Sequence, residues 1–298
     1  MSDLFSYTSE DCSIVYKRMR DEAETNRLAK KGRDHCDELW KVYEPFADTH
    51  FKSEFSDPNL EKLHARWFEM YLAVALIEKG LKVCRKPNDI GPDILLEMED
   101  RRIWIETTCA TRGDPQSPDY VPKQQLGGLK EEELDRYLLR ITNTLREKEK
   151  KFKEYYNKGI VKYNDTLAIA ININLTDAAY IYDIFGRALY GEGDPDIELN
   201  KYTRKINGVG HKTLIKIPKY SGKKVELGSF INGTMPCISC VLAFSGNLLM
   251  YGSKLGDDCV TYPNLTSDNK WIQGSIPMGI DWSPEENENG WSLTKIEY

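Results

Sequence analysis

A chain of 298 residues, 40% hydrophobic and 30% charged, has the composition of an ordinary globular protein and excludes a disordered one. It contains no apolar run of the roughly eighteen residues that a membrane-spanning helix needs. The net charge of −6 disfavours polyanions on average, yet the charge is segregated: residues 201–224 hold eight Lys/Arg and no acid, leaving about −14 elsewhere. Seven cysteines, an odd number scattered over a large chain, do not form a disulfide framework. Met1-Ser2-Asp3-Leu4-Phe5-Ser6 lacks the basic and apolar regions of a secretion signal, so the expected compartment is the reducing cytoplasm.

The segment from Ile14 to Phe55 is polar and helix-rich, and reads as one or two peripheral helices serving as a cap or dimerisation arm. Asp57-Pro58 predicts the N-cap and first-turn proline of a helix running to Lys79 and stopped by Gly80. Leu81 to Arg85 is a short strand candidate. Asp93–Met98 and Arg102–Thr108 predict a hairpin turning at Glu99-Asp100, with Arg101-Arg102 on its exposed turn. The irregular stretch from Cys109 to Gly128 is long for a connection, and such loops are often functional. An amphipathic helix then spans Glu131 to Asn157, ended by Gly159. Asp165–Asn172 reads as a buried strand and Asp177–Tyr190 as a helix. Further strands are expected at Lys212–Ile217 and Cys237–Phe244, and the tail after Pro263 carries weak signals.

Two carboxylates stand out from this pattern. In Arg102–Thr108, alternation places Trp104, Glu106 and Thr108 on one face and Ile103, Ile105 and Thr107 on the other. Ile103-Trp104-Ile105 is apolar on both faces, as in a central strand, so Glu106 lies where a buried strand emerges toward a cleft. A carboxylate there needs a cation, a donor or water. Asp93 heads the neighbouring strand after Gly91-Pro92, which fixes its approach. Two acids so placed can share a hard divalent cation that activates water. Glu69 is a third: from Trp67 to Ile77 every other residue is apolar. It either belongs to the site or lies at the solvated edge of its helix.

Pro92-Asp93 and Glu106-Thr107-Thr108 resemble the two halves of the PD-(D/E)xK nuclease motif, in a bacterial branch with Thr108 at the lysine position. The resemblance covers residues 58–175 and implies a restriction-endonuclease-like α/β core, a mixed central sheet flanked by helices. An N-terminal helical extension (1–57) would precede it and an α/β extension (176–298) follow it. It implies Mg²⁺ or Mn²⁺ held by Asp93, Glu106 and the main-chain carbonyl of Thr107, with Glu69 contacting metal-bound water. The family's lysine stabilises charge developing on phosphate, and some relatives move it to a neighbouring helix. Here Lys148 interrupts the apolar stripe Leu134, Leu138, Ile141, Leu145, Phe152, Tyr155, so it either snorkels or points into the site. Lys151 is a weaker substitute for that lysine, since Lys150 and Lys153 around it look like a solvated face.

The implied activity is metal-dependent hydrolysis of nucleic acid, DNA in the first instance, in restriction, mobile-element defence or repair. A homodimer would suit cleavage of both strands. A second reading is a catalytically inactive protein of the same fold that binds nucleic acid or a protein partner, favoured by Thr108. A third makes the carboxylates plain turn and strand-end residues. Lys201, Arg204, Lys205, Lys212, Lys216 and Lys219 could track a phosphate backbone, with Tyr202 and Tyr220 for stacking. The same lysines could instead guard exposed strand edges. Arg112 and Gln124-Gln125 could reach substrate from the long loop. Cys237-Ile238-Ser239-Cys240 has zinc-knuckle spacing without a second pair, and reads better as core.

Overall fold

A computed structural model of the chain describes residues 3–123, 131–176, 181–287 and 290–298. In chain order the helices are α1 (Ile14–Asp21), α2 (Arg27–Tyr43), α3 (Phe51–Phe55), α4 (Leu60–Glu78), α5 (Glu131–Asn157) and α6 (Ile181–Tyr190). The strands are β1 (Val83–Cys84), β2 (Ile94–Glu97), β3 (Arg102–Cys109), β4 (Thr166–Asn172), β5 (Glu192–Leu199) and β6 (Ile206–Thr213). Then follow β7 (Lys216–Pro218), β8 (Lys224–Glu226), β9 (Cys240–Phe244), β10 (Val260–Pro263), β11 (Ile280–Asn287) and β12 (Gly290–Glu297). The protein is mixed α/β, with a large mixed central sheet flanked by helices.

Eight strands form the central sheet in the order β1-β2-β3-β4-β9-β10-β11-β12. β3, β4 and β9 run parallel at its centre, and residues 103–105, 167–171 and 240–244 are buried and apolar on both faces, as a sheet covered on both sides requires. The alternation expected of β2 and β3 holds. Ile94, Leu96, Ile103 and Ile105 enter one core with α4, while Leu95 and Trp104 enter the other with α5 and α6. The sheet and both cores run on beyond residue 175 into β9 and β10.

Helix α4 is apolar nearly all round because it is buried on both sides, between β3 and the N-terminal helices. Tyr16, Leu39, Trp40, Tyr43, Phe51 and Phe55 pack into the same core as Trp67, Phe68 and Tyr71. Three N-terminal helices thus complete the first core, where the sequence suggested one or two forming a cap or arm. The N-cap of α4 is Asn59, whose side chain accepts from the Glu61 amide, and not Asp57. Asp57 instead accepts from the Asn59 amide, three residues before the helix begins.

Other differences follow from short-range chemistry that the sequence pattern hid. Arg102 does not sit on an exposed turn. It lies in β3 and makes a bidentate pair with the buried Asp165 (3.0 and 2.6 Å), which also accepts from the Trp104 indole (3.0 Å). The stretch Lys212–Ile217 is split between the end of β6 and β7, which belong to two separate hairpins. β11 carries Pro284, Glu285 and Glu286, and β12 carries Ser292, Thr294, Lys295 and Glu297, so neither shows the apolar run that marks a strand in the sequence. Residues 177–180, the start of the helix expected from Asp177, lie outside the described residues. Among the described residues no helix is long and apolar enough to cross a membrane.

Candidate active site

The hairpin of β2 and β3 sets the two carboxylates. Its last ladder pair is Ile94 with Ile105, so Asp93 and Glu106 follow as the next residues on adjacent chains. Gly91 holds φ +128°, and a Cβ there would meet Ile160 at 3.1 Å and Trp104 at 3.3 Å. Only glycine fits this approach to Pro92 and Asp93. Asp93 then accepts two bonds on one oxygen, Oδ2, from the Thr107 amide (2.7 Å) and the Thr107 hydroxyl (2.8 Å). The carboxylate continues the ladder where the backbone of β2 has turned away. Thr107, expected to offer its carbonyl to a metal, thus meets Asp93 through its amide and hydroxyl.

Glu106 is 1% exposed. Of the two alternatives for Lys148, snorkelling or pointing toward the carboxylates, the structure has the second: its ammonium lies 2.9 Å from Glu106 Oε1. Lys151, the weaker substitute, also bonds Oε1. The two lysines are one helical turn apart and share a face of α5, a spacing that could have identified the second. Lys153, by contrast, pairs with Glu149 (2.7 Å). Glu106 Oε2 is buried and has no hydrogen-bond partner among the described residues. Burial first, then the charge of Asp93, raises the Glu106 pKa above the usual carboxylate range, against the pull of Lys148 and Lys151. Lys151 is itself raised: burial opposes its charge, but Glu106 and Asp93 outweigh that. Its ammonium also stands 5.7 Å from the Tyr155 ring centroid.

Glu69 is 3% exposed, within the site's electrostatic reach and not at a solvated helix edge. Oε1 accepts from the Tyr43 hydroxyl (2.6 Å) and Oε2 from Arg66 (2.7 Å), one turn earlier on α4. Arg66 also holds Asp48 (3.1 Å) and Glu54, so the first helices clamp the acid of the fourth. Burial, then repulsion from Asp93, pushes the Glu69 pKa up to about 7; Arg66, Tyr43 and Lys86 oppose the rise. The sequence singled out Glu69 but missed Arg66 and Tyr43. An Arg three residues before a lone buried Glu was the available signal.

A divalent cation is implied by the motif resemblance, and the donor set fits one. Glu106 Oε2 is an orphaned buried anionic oxygen, and the described hydrogen bonds of Asp93 leave Oδ1 open. Mg²⁺ commonly takes one or two carboxylates and completes its shell with water and substrate phosphate. Among the described residues no group of three or more His, Cys, Asp or Glu is gathered as a metal cluster. Asp93 and Glu106 are balanced by Lys148 and Lys151, so the four groups together carry no net charge.

The remaining expectations fall elsewhere. Arg112 donates to the Pro122 carbonyl (2.7 Å) and so staples its own loop. Gln124-Gln125 lie outside the described residues. Cys240 is buried in β9, and Cys237 lies beside Glu149 (3.8 Å). Lys216 pairs with Glu226 (3.3 Å) on the β7–β8 hairpin, which also carries Lys219 at its turn. Lys201, Arg204 and Lys205 stand exposed at the tip of the β5–β6 hairpin, with Lys212 further down. No family model, curated protein or solved structure matches this chain.

Proposed function

We propose that the protein is a divalent-metal-dependent phosphodiesterase acting on nucleic acid, built on a restriction-endonuclease-like core. The observation that carries this reading is Glu106: a buried carboxylate with two lysines on one oxygen, Asp93 beside it, and the other oxygen unpartnered. A carboxylate with a purely structural role is normally satisfied on both oxygens, since an unpaired buried polar atom costs about 1–3 kcal/mol. Such costs concentrate at functional sites.

Asp93 and Glu106 would hold Mg²⁺ or Mn²⁺, which when bound supplies a more acidic water and neutralises phosphate charge. Thr107 fixes Asp93 through two hydrogen bonds to Oδ2, and Oδ1 would be the oxygen offered to the metal. Lys148, the less exposed of the two lysines, holds Glu106 in place. Lys151, with 42% of its side chain exposed, can leave Glu106 for an incoming phosphate oxygen. Glu69 has both oxygens engaged, so it acts on the site through its charge and orients Arg66 and Tyr43.

A second reading, a binding protein that has lost turnover, is favoured by the clasp of Asp93 on Thr107, which gives that acid a structural task. Turnover decides between them. Labelled DNA and RNA, single- and double-stranded, would be incubated with Mg²⁺, Mn²⁺ or EDTA. Metal-dependent cleavage lost in Asp93→Asn and Glu106→Gln supports the enzyme; tight binding without cleavage supports the second reading.

A further inference from the structure

The basic segment is not one patch. The fold divides it between two hairpins, and the longer one, β5–β6, pairs with no other strand among the described residues. Its root is fixed: Gly193 leaves no space for a Cβ against the Lys212 carbonyl, and Arg187 on α6 pairs with Asp194 (2.9 Å). From Asp194 to Leu199 every residue is exposed, as is every residue from Lys201 to Ile206. Six residues at about 3.3 Å each make a ribbon projecting roughly 20 Å from the body.

The tip of this ribbon is ordered by its own hydrogen bonds. Asn200 Oδ1 accepts from the amides of Tyr202 (3.0 Å) and Thr203 (2.9 Å), and the Asn200 amide donates to the Lys205 carbonyl (2.9 Å). This holds Lys201, Arg204 and Lys205 outward around Tyr202, which is 98% exposed. Among the described residues none of these three cations has an ion pair. Along the shank the charges are sorted by face. Pro195, Ile197 and Leu199 alternate with Asp194, Asp196 and Glu198, and the last two acids lie opposite Gly210 and Gly208. The ribbon therefore has an apolar face that includes Ile197, Leu199 and Ile206, an acidic face, and a cationic end.

We infer that this ribbon is a duplex-DNA reading arm, its apolar face turned into the major groove and Lys201, Arg204 and Lys205 on the phosphates. The major groove of B-form DNA, about 12 Å wide, admits a two-stranded ribbon, and thymine methyls there offer apolar contacts. The acidic face then points out of the groove, away from the phosphates. The major groove of A-form RNA is deep and too narrow for such an element, so the arm selects DNA over duplex RNA. This inference rests on the reading of the protein as one that acts on nucleic acid, and it adds the substrate class and the element that holds it.

The test uses the intact chain in EDTA with fluorescein-labelled duplex DNA, duplex RNA and single-stranded DNA. Anisotropy titrations would cover a range of salt concentrations. The variants are K201A/R204A/K205A at the tip and Ile197→Ser/Ile206→Ser on the apolar face. All five side chains are exposed, so both should keep the wild-type unfolding midpoint. Removing three phosphate contacts should flatten the slope of log K against log salt by about 3, at about 0.9 per contact. The face variant should keep the slope but lose preference among duplex sequences. A tip variant with unchanged slope overturns the arm, as does equal loss on duplex RNA. A face variant that changes sedimentation and not DNA binding would assign the ribbon to a second copy of this chain. Cleavage with Mg²⁺ is scored separately. Binding that depends on the tip without any hydrolysis keeps the arm and removes the phosphodiesterase, whereas hydrolysis and binding indifferent to the tip do the reverse.

Discussion

Raising the pH from 5 to 8 should destabilise the wild type, relative to Glu69→Gln, by about 2 kcal/mol. Burial and the neighbouring charge of Asp93 raise the Glu69 pKa to about 7 from its ordinary 4.5. Between those values the folded protein keeps a proton that the unfolded chain releases, so stability falls as pH rises. The stabilisation is complete below about 4.5 and is lost through about 7. At ~1.4 kcal/mol per unit the gap is worth roughly 3 kcal/mol, most of it lost within the tested window. Urea unfolding of both proteins at pH 5, 6, 7 and 8 gives a difference curve in which titrating groups that do not interact with Glu69 cancel. Asp93→Asn, which removes the second cause of the shift, should shrink that difference. Parallel curves for wild type and Glu69→Gln would refute the reasoning, because Glu69 would then titrate as an exposed carboxylate.

Four further outcomes can be checked by unfolding, binding and cleavage measurements. Lys148→Met should cost about 2 kcal/mol, below the ~3–5 of a fully broken buried pair, because Lys151 still faces Glu106. Adding Lys151→Met should cost more than the sum of the single changes, as read by a double-mutant cycle in urea. Arg102→Met should cost about 3 kcal/mol in the same assay, since it leaves the Asp165 carboxylate buried without its cation. Thr107→Val removes one of the two donors to Asp93 and should cost about 1 kcal/mol, with a fall in cleavage rate that Thr107→Ser restores. Because two lysines already balance Asp93 and Glu106, Mn²⁺ should bind the free protein weakly and bind more tightly with phosphorothioate DNA present, measured by calorimetry.

The elements that a reader could find in the sequence were those with one dominant pattern. The stripe Leu134 to Tyr155 predicted α5 over its whole length, and the run leading to Glu106 predicted β3 with the correct faces. Lys148 was legible because it interrupts that stripe. Lys151 was the weaker candidate, since its position among other lysines concealed that a long side chain reaches back across the helix edge. Arg66, three residues before Glu69 on the same helix, was within reach of the sequence, whereas Tyr43 could not be placed there without knowing that α2 crosses α4. The pairing of Arg102 is hidden in the sequence because its partner, Asp165, lies sixty-three residues away, just before β4. The basic segment looked continuous until pairing divided it. Neutralisation of its shank by the acids of β5 is a property of the fold, not of the local composition.

The central claim is that Asp93 and Glu106 form a hydrolytic metal site. The most direct measurement is the rate of cleavage of labelled duplex DNA by wild type, Asp93→Asn and Glu106→Gln, with Mg²⁺, Mn²⁺ or EDTA. Circular dichroism would confirm that the three proteins are equally folded. The account predicts cleavage by the wild type that requires the metal and falls at least a hundredfold, ~3 kcal/mol of barrier, in each variant. Folded wild type that binds DNA and leaves it intact in every metal, or variants that cut as fast as it does, would contradict the account.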